Sequence, residues 1–275
     1  MKHPLVDAQW LAAQDPENVV IADCRYNLLA PAQAYIDYQK GHIPGAFFLD
    51  LERDLCGPIG VHGGRHPLPD REQFAHVLSR IGMTEEKTLV AYDTDGSGAA
   101  HLWWLAGYYG LTNIRVLQGG YLAWITAKLP VSTKKPAISR TPTLILTPHT
   151  EWLATREEVI TRHSDQTLID SRSYERFIGE YEPIDPIPGR IPGAIHRDWA
   201  EVYDKPAHFR PLHDLRQHFA NIDTKQPPLV YCGSGVSACS NVLALHLLDI
   251  PAVLYAGSYS DWISYETAPV ARGRV

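Results

Sequence analysis

The sequence predicts an α/β protein built from two tandem domains, each a mostly parallel sheet flanked by helices. Three observations lead there. Short β-type apolar runs alternate with helix-length segments throughout, the signature of parallel strands joined by crossover helices. Blocks of the first half recur in the same order in the second. The chain of 275 residues is long enough for two cores of ordinary size.

The repeat is specific. Val19-Val20-Ile21-Ala22-Asp23 leads into Cys24-Arg25, and Leu168-Ile169-Asp170 leads into Ser171-Arg172. Gly41-His42-Ile43-Pro44-Gly45-Ala46 returns as Gly189-Arg190-Ile191-Pro192-Gly193-Ala194. Leu89-Val90-Ala91-Tyr92-Asp93 matches Pro228-Leu229-Val230-Tyr231-Cys232. Leu117-Gln118-Gly119-Gly120 with Trp124 matches Leu254-Tyr255-Ala256-Gly257 with Trp262. Four blocks in one order indicate duplicated domains. They are placed at 1–130 and 151–275, with a proline-punctuated linker at 131–150.

Taken in order, strands are expected at 19–23, 46–49, 89–92 and 114–117. Helices are expected near 69–81, where Pro69 suits a first turn, and at 97–109 and 121–128. The second half gives strands at 167–170, 229–231 and 252–255 and helices at 151–162, 212–221 and 236–249. Leu144-Ile145-Leu146 in the linker is a further strand candidate. The aromatic helix holding Trp103, Trp104, Tyr108 and Tyr109 reads as core. The irregular stretch 179–193, with four prolines, is long enough to be a functional loop.

Composition narrows the function. Hydrophobic residues at 45% and charged residues at 20% are those of a globular protein. A net charge of −6 leaves no basic footprint for nucleic acid. No apolar run reaches membrane-spanning length, and the first residues carry no apolar export signal, so a cytoplasmic location without a membrane partner is expected. The four cysteines, Cys24, Cys56, Cys232 and Cys239, form no Cys-Xaa-Xaa-Cys pair. Neither a disulfide framework nor a metal site is expected, nor any organic cofactor.

One stretch carries chemistry. The apolar run Leu229-Val230-Tyr231 ends in Cys232, followed by Gly233-Ser234-Gly235-Val236-Ser237 and a long apolar segment. This reads as strand, tight loop and helix, with the sulfur at the carboxyl end of the strand, where ligands bind in such sheets. Inward-pointing backbone N–H groups of the loop would favour the thiolate, the nucleophilic form. The two glycines leave little bulk to bury the sulfur, so it is expected to be solvent-reachable. The competing reading is an inert core cysteine. In the first half the same position is Asp93, within Asp93-Thr94-Asp95-Gly96-Ser97-Gly98: a loop without sulfur, read as a retired site whose carboxylate caps the next helix, the alternative being a general base. A cysteine phosphatase would need an arginine in this loop to grip phosphate, and position 238 is Ala238. A non-catalytic partner-binding or sulfur-carrier module is the remaining rival.

The tandem halves, the Gly-His-Ile-Pro-Gly-Ala box, the sulfur-free first loop and the Cys-Gly-Ser-Gly-Val-Ser loop together resemble the two-domain rhodanese-type sulfurtransferases over nearly the whole chain. The resemblance implies two rhodanese-like domains and a transferase reaction. The Cys232 thiolate takes a sulfur atom from a small-molecule donor, becomes a persulfide, and passes the sulfur to a thiol such as thioredoxin or to cyanide. The neutral pair Gly233-Ser234 resembles the 3-mercaptopyruvate sulfurtransferase branch, whereas thiosulfate-using relatives carry an Arg-Lys pair there. By that similarity Ser234 hydrogen-bonds the donor; its alternative is to satisfy loop backbone. Gly233, Gly235, Val236 and Ser237 supply the loop amides. Arg176 matches the arginine that grips the donor carboxylate, with a surface pair to Glu180 as the alternative, and Arg172 reads as structural. The second arginine of the branch falls at Asp185, a departure, and Arg190 is the expected substitute, unless it is a solvated loop arginine. His66 matches a histidine that moves protons with Ser234, the alternative being packing on Pro67. Glu52 stands where that relay would have an aspartate.

Overall fold

A computed structural model describes residues 3–137 and 142–274 of the protein. The chain forms two compact units. The first holds residues up to Gly57, Pro69–His149 and Tyr203–Phe209; the second holds Pro58–Leu68, Thr150–Val202 and residues from Arg210 onward. The repeat boundary and the spatial boundary therefore differ. An eleven-residue stretch of the first half, Pro58–Leu68, packs with the second unit.

In the first unit the strands are β1 (Leu5–Val6), β2 (Val19–Asp23), β3 (Phe47–Phe48), β4 (Thr88–Tyr92) and β5 (Ile114–Leu117), paired in the order β1-β5-β4-β2-β3 and parallel throughout. The helices are α1 (Ala8–Ala12), α2 (Pro31–Lys40), α3 (Leu51–Asp54), α4 (Arg71–Arg80), α5 (Ser97–Tyr108) and α6 (Gly120–Thr126). The start of α4 follows from Asp70, whose side chain accepts the Gln73 N–H. Every residue of α5 is buried, as befits a helix that is apolar all round. Trp103 and Trp104 are core, as expected. The sequence reading missed α2, whose mixed composition gives a weak periodic signal, and the two-residue β1.

The second unit has β6 (Leu168–Asp170), β7 (Ala194–His196), then, after a hairpin β8 (Tyr203–Lys205) and β9 (His208–Phe209) that packs with the first unit, β10 (Leu229–Tyr231) and β11 (Val253–Leu254). Its sheet is parallel in the order β11-β10-β6-β7. The helices are α7 (Arg156–Thr161), α8 (Tyr174–Ile178), α9 (Leu212–His218), α10 (Ala238–Leu247) and α11 (Ser258–Trp262). The helix expected at 151–162 is broken into a 3-10 turn, Thr150–Trp152, and α7. Thr155 forms a capping box with Glu158, which restarts the helix there. Leu144-Ile145-Leu146 forms no strand.

The duplication extends to side chains. Arg25 binds Asp23 and the Gly41 carbonyl (2.9 Å), while Tyr92 donates to Asp23 at 2.6 Å. Arg172 binds Asp170 and the Gly189 carbonyl (2.6 Å), while Tyr231 donates to Asp170 at 2.7 Å. Each buried charge is thus paired and hydrogen-bonded, the condition on which a buried ion pair is tolerable. Arg172 is structural, as expected. Among the described residues no helix is long and apolar enough to cross a membrane.

Candidate active site

The site grows from the end of β10, one of the two inner strands of the second unit's sheet. Cys232 follows it directly. Its N–H donates to Ser258 Oγ at 3.1 Å, and its Sγ accepts the Gly235 N–H at 3.2 Å. Gly235 has φ +84°, and a Cβ there would run into the Ala256 carbonyl. Only glycine takes this bend without strain, so the turn that aims an amide at the sulfur is written into the sequence. Val236 and Ser237 complete the loop, their carbonyls accepting from Cys239 and Ser240 as α10 begins.

Cys232 is not solvent-reachable in this structure; it is 1% exposed. The loop itself lacks bulk, as read, but bulk arrives from elsewhere in the unit. A Cβ on Gly233 would meet Arg65 Nη2 at 2.8 Å and Arg176 Nη2 at 3.2 Å. Two guanidinium groups therefore lie against the loop. Cys239 is core: its Sγ–H donates to the Gly235 carbonyl, and burial pushes its thiol up.

The Pro58–Leu68 stretch delivers two site residues. It is pinned to α11, with Gly63 N–H donating to Asp261 (2.6 Å) and Arg65 N–H donating to Ser260 Oγ (3.1 Å). Gly64 has φ +81° and lies so close to the Gly257 carbonyl that a side chain has no room. His66 Nδ1 and Ser234 Oγ then share a 2.7 Å hydrogen bond. Burial, helped by the charge of Arg65, pulls the His66 imidazole down to about 4. At neutral pH it is uncharged, with one nitrogen free to accept a proton. Glu52 lies in the first unit, exposed on α3.

Arg176, on α8, is held from behind. Its Nε donates to both Glu182 oxygens (3.0 and 2.9 Å) and its Nη2 to Asp185 at 2.8 Å. The Glu180 pairing considered from sequence is replaced by Glu182 and Asp185. The second oxygen of Asp185 accepts from Arg65 Nη1. Burial pushes the Asp185 carboxyl up, against the pull of the two guanidinium groups.

Arg190 is not part of this group. Its guanidinium donates to the carbonyls of Phe177 (3.3 Å) and Gly273 (2.8 Å) and stacks on the Phe177 ring. Arg190 also bridges Ala271 through its backbone, as His42 at the matching place bridges Ser132 and reaches the Lys134 carbonyl. Each residue holds the segment that follows the last helix of its unit. The cation that stands beside Arg176 is Arg65, which the sequence reading passed over although it adjoins His66. Ser258, with φ +55°, was also missed; it holds the Cys232 backbone, and its structural counterpart, one residue off the sequence match, is Gly120, with φ +53°: Tyr121 N–H donates to the Asp93 carbonyl as Tyr259 N–H does to that of Cys232.

Comparison with known proteins agrees in both halves. The rhodanese-like domain matches residues 7–127 and again 155–265. The chain is 39% identical over 281 residues to a probable 3-mercaptopyruvate sulfurtransferase of Pseudomonas aeruginosa, covering 98% of each. It is 35% identical over 273 residues to a putative thiosulfate sulfurtransferase of Mycobacterium tuberculosis, covering 97% of this chain and 94% of that one. The solved 3-mercaptopyruvate sulfurtransferase from Leishmania major superposes with a TM-score of 0.83 at 26% identity, covering 94% of this chain and 73% of that one.

Proposed function

The chain belongs to the rhodanese-like family, and we propose that it is a cytoplasmic sulfurtransferase that takes sulfur from 3-mercaptopyruvate onto Cys232 and hands it to a thiol, such as that of thioredoxin, or to cyanide. The observation that carries this reading is the convergence on one glycine-bent loop of a sulfur, an amide aimed at it and two guanidinium groups.

The chemistry balances without a cofactor. The Cys232 thiolate attacks the donor sulfur, and the donor carbon–sulfur bond breaks. Its electron pair passes to carbon as the enolate of pyruvate, which takes up the proton released from the donor thiol. The cysteine is left as a persulfide. An acceptor thiolate or cyanide then attacks the outer sulfur and returns the Cys232 thiolate. Ser234 and neutral His66 carry the proton between donor sulfur and enolate carbon, a reading supported by the hydrogen bond between them. Arg176, with Arg65 in the place first given to Arg190, orients the donor carboxylate through paired N–H donors. Loop N–H groups from Gly233 to Ser237 stabilise the sulfur anions.

Intact-mass measurement after exposure to donor tests the assignment. The peptide holding Cys232 gains about 32 Da, one sulfur atom, and Cys232→Ser abolishes the gain and the turnover. In parallel, 3-mercaptopyruvate is turned over at least about tenfold faster than thiosulfate under identical conditions. A preference for thiosulfate overturns the donor assignment, and no mass gain with either donor overturns the function.

A further inference from the structure

The two guanidinium groups at the cysteine loop are not waiting for a ligand; they already share a carboxylate. Asp185 gives one oxygen to Arg65 Nη1 and the other to Arg176 Nη2. Its side chain is 1% exposed, against 31% for Arg65 and 14% for Arg176, so the shared carboxylate lies on the inner side of the pair. Glu182, equally buried, takes Arg176 Nε and also Arg172 Nη1 (3.2 Å), whose main partner is Asp170. Three arginines therefore meet three carboxylates: the cluster behind the loop sums to zero charge.

What remains for a donor is small and well placed. Among the described residues, Arg65 Nη2 and Arg176 Nη1 carry no hydrogen bond. These nitrogens lie 2.8 and 3.4 Å from where a Cβ on Gly233 would stand, so they face the cysteine loop. One carboxylate fits two such N–H groups. Each negative charge a donor brings is added to an already neutral cluster, next to a carboxylate that cannot retreat into water.

We propose that Asp185 is a specificity-determining residue, an internal counter-ion that sets the charge of the sulfur donor, admitting a monoanion and disfavouring a dianion. This rests on the sulfurtransferase reading above and deepens it. Electrostatic work scales with the charge brought in, so relief that favours a monoanion by some factor favours a dianion by its square. Removing the Asp185 charge therefore helps thiosulfate more than 3-mercaptopyruvate. An ion pair that merely braces Arg176 has no such charge dependence.

The test is Asp185→Asn, which keeps the shape and one acceptor oxygen. Both donors are assayed at low and high salt, with folding checked by thermal unfolding. The expected result is a kcat/KM gain of about tenfold for thiosulfate and about threefold for 3-mercaptopyruvate, shrinking at high salt. Equal changes for the two donors, or a loss for both, overturn the proposal. Should the variant fail to fold, the wild-type protein decides: at low salt pyruvate, a monoanion, inhibits at a concentration at least about tenfold lower than sulfate, a dianion. The reverse order overturns it. A wild-type chain that acquires no sulfur from either donor refutes the function instead, so the two failures are distinguishable.

Discussion

The two copies of the strand-end loop ask what a cysteine adds to a shared backbone. In the first unit Asp93 Oδ1 accepts the Gly96 N–H (2.8 Å), and Oδ2 accepts those of Gly98 (2.7 Å) and Ala99 (3.1 Å). The side chain fills the ring of amides and closes it. In the second unit the sulfur reaches the Gly235 N–H, and Gly235, like Gly96, has a positive φ. Around Cys232 stand Arg65, Arg176, Ser234 and His66. Around Asp93 the equivalent of Ser234 is Asp95, whose carboxylate is occupied by the Ser97 N–H and hydroxyl. One backbone design thus serves as a self-satisfied cap in one copy and as a nucleophile's seat in the other. The loop alone does not make the site; the charged and proton-carrying neighbours do.

The largest expected effect comes from moving the sulfur. In Asp93→Cys, the new thiol takes up sulfur from donor at least about a thousandfold more slowly than Cys232, because Arg65, His66 and Arg176 all belong to the other unit. The same change leaves three buried N–H groups with a poorer acceptor and lowers stability by about 2–4 kcal/mol, read from urea unfolding. Comparable charging at both positions, measured by mass on the separate peptides, would show that the bent backbone suffices.

A smaller effect sharpens the role of His66. Its imidazole is held near 4, below the ordinary 6.5, so the folded protein binds its proton less readily than the unfolded chain does. The stability this gives is present above pH 6.5 and is lost as pH falls toward 4. In His66→Gln the acid-side loss between those limits shrinks by on the order of 3 kcal/mol, while catalysis at neutral pH also falls. An unchanged pH slope of unfolding would mean that His66 is not buried as described.

The smallest effect separates architecture from chemistry. Arg190→Gln removes hydrogen bonds to two main-chain carbonyls and costs about 1–3 kcal/mol of stability, with donor KM unchanged. A severalfold rise in KM would return Arg190 to the site.

Much of this was legible because the relevant signals are local. Cys232 ends an apolar run and is followed by glycines that must bend, and the repeat itself exposed Asp93 as its counterpart. The family resemblance marked Arg172 as structural, and the copied Asp-Arg pairs of the fold agree. What stayed hidden depends on contacts between distant residues. Arg190 looked like a free loop cation because its partner, the Gly273 carbonyl, lies far along the chain. Arg65 stood in plain view in Gly63-Gly64-Arg65-His66, yet nothing in the spacing said that Asp185 would tie it to Arg176. The burial of Cys232 escaped for the same reason, since local sequence gives the size of a residue's own neighbours and not what folds over them. The helix at 151–162 was overrun because Thr155 and Glu158 form a start signal inside a continuous polar-apolar pattern.

The stretch Pro58–Leu68 lends the duplication an asymmetry. Coming from the first repeat, it lodges with the second unit and brings Arg65 and His66 to the cysteine loop. A half-length protein made by cutting at the linker would keep the cysteine loop whole yet lose both of these groups. The copy without a nucleophile is consequently no spare part: a descendant that discarded it would inherit the reactive atom and forfeit its retinue.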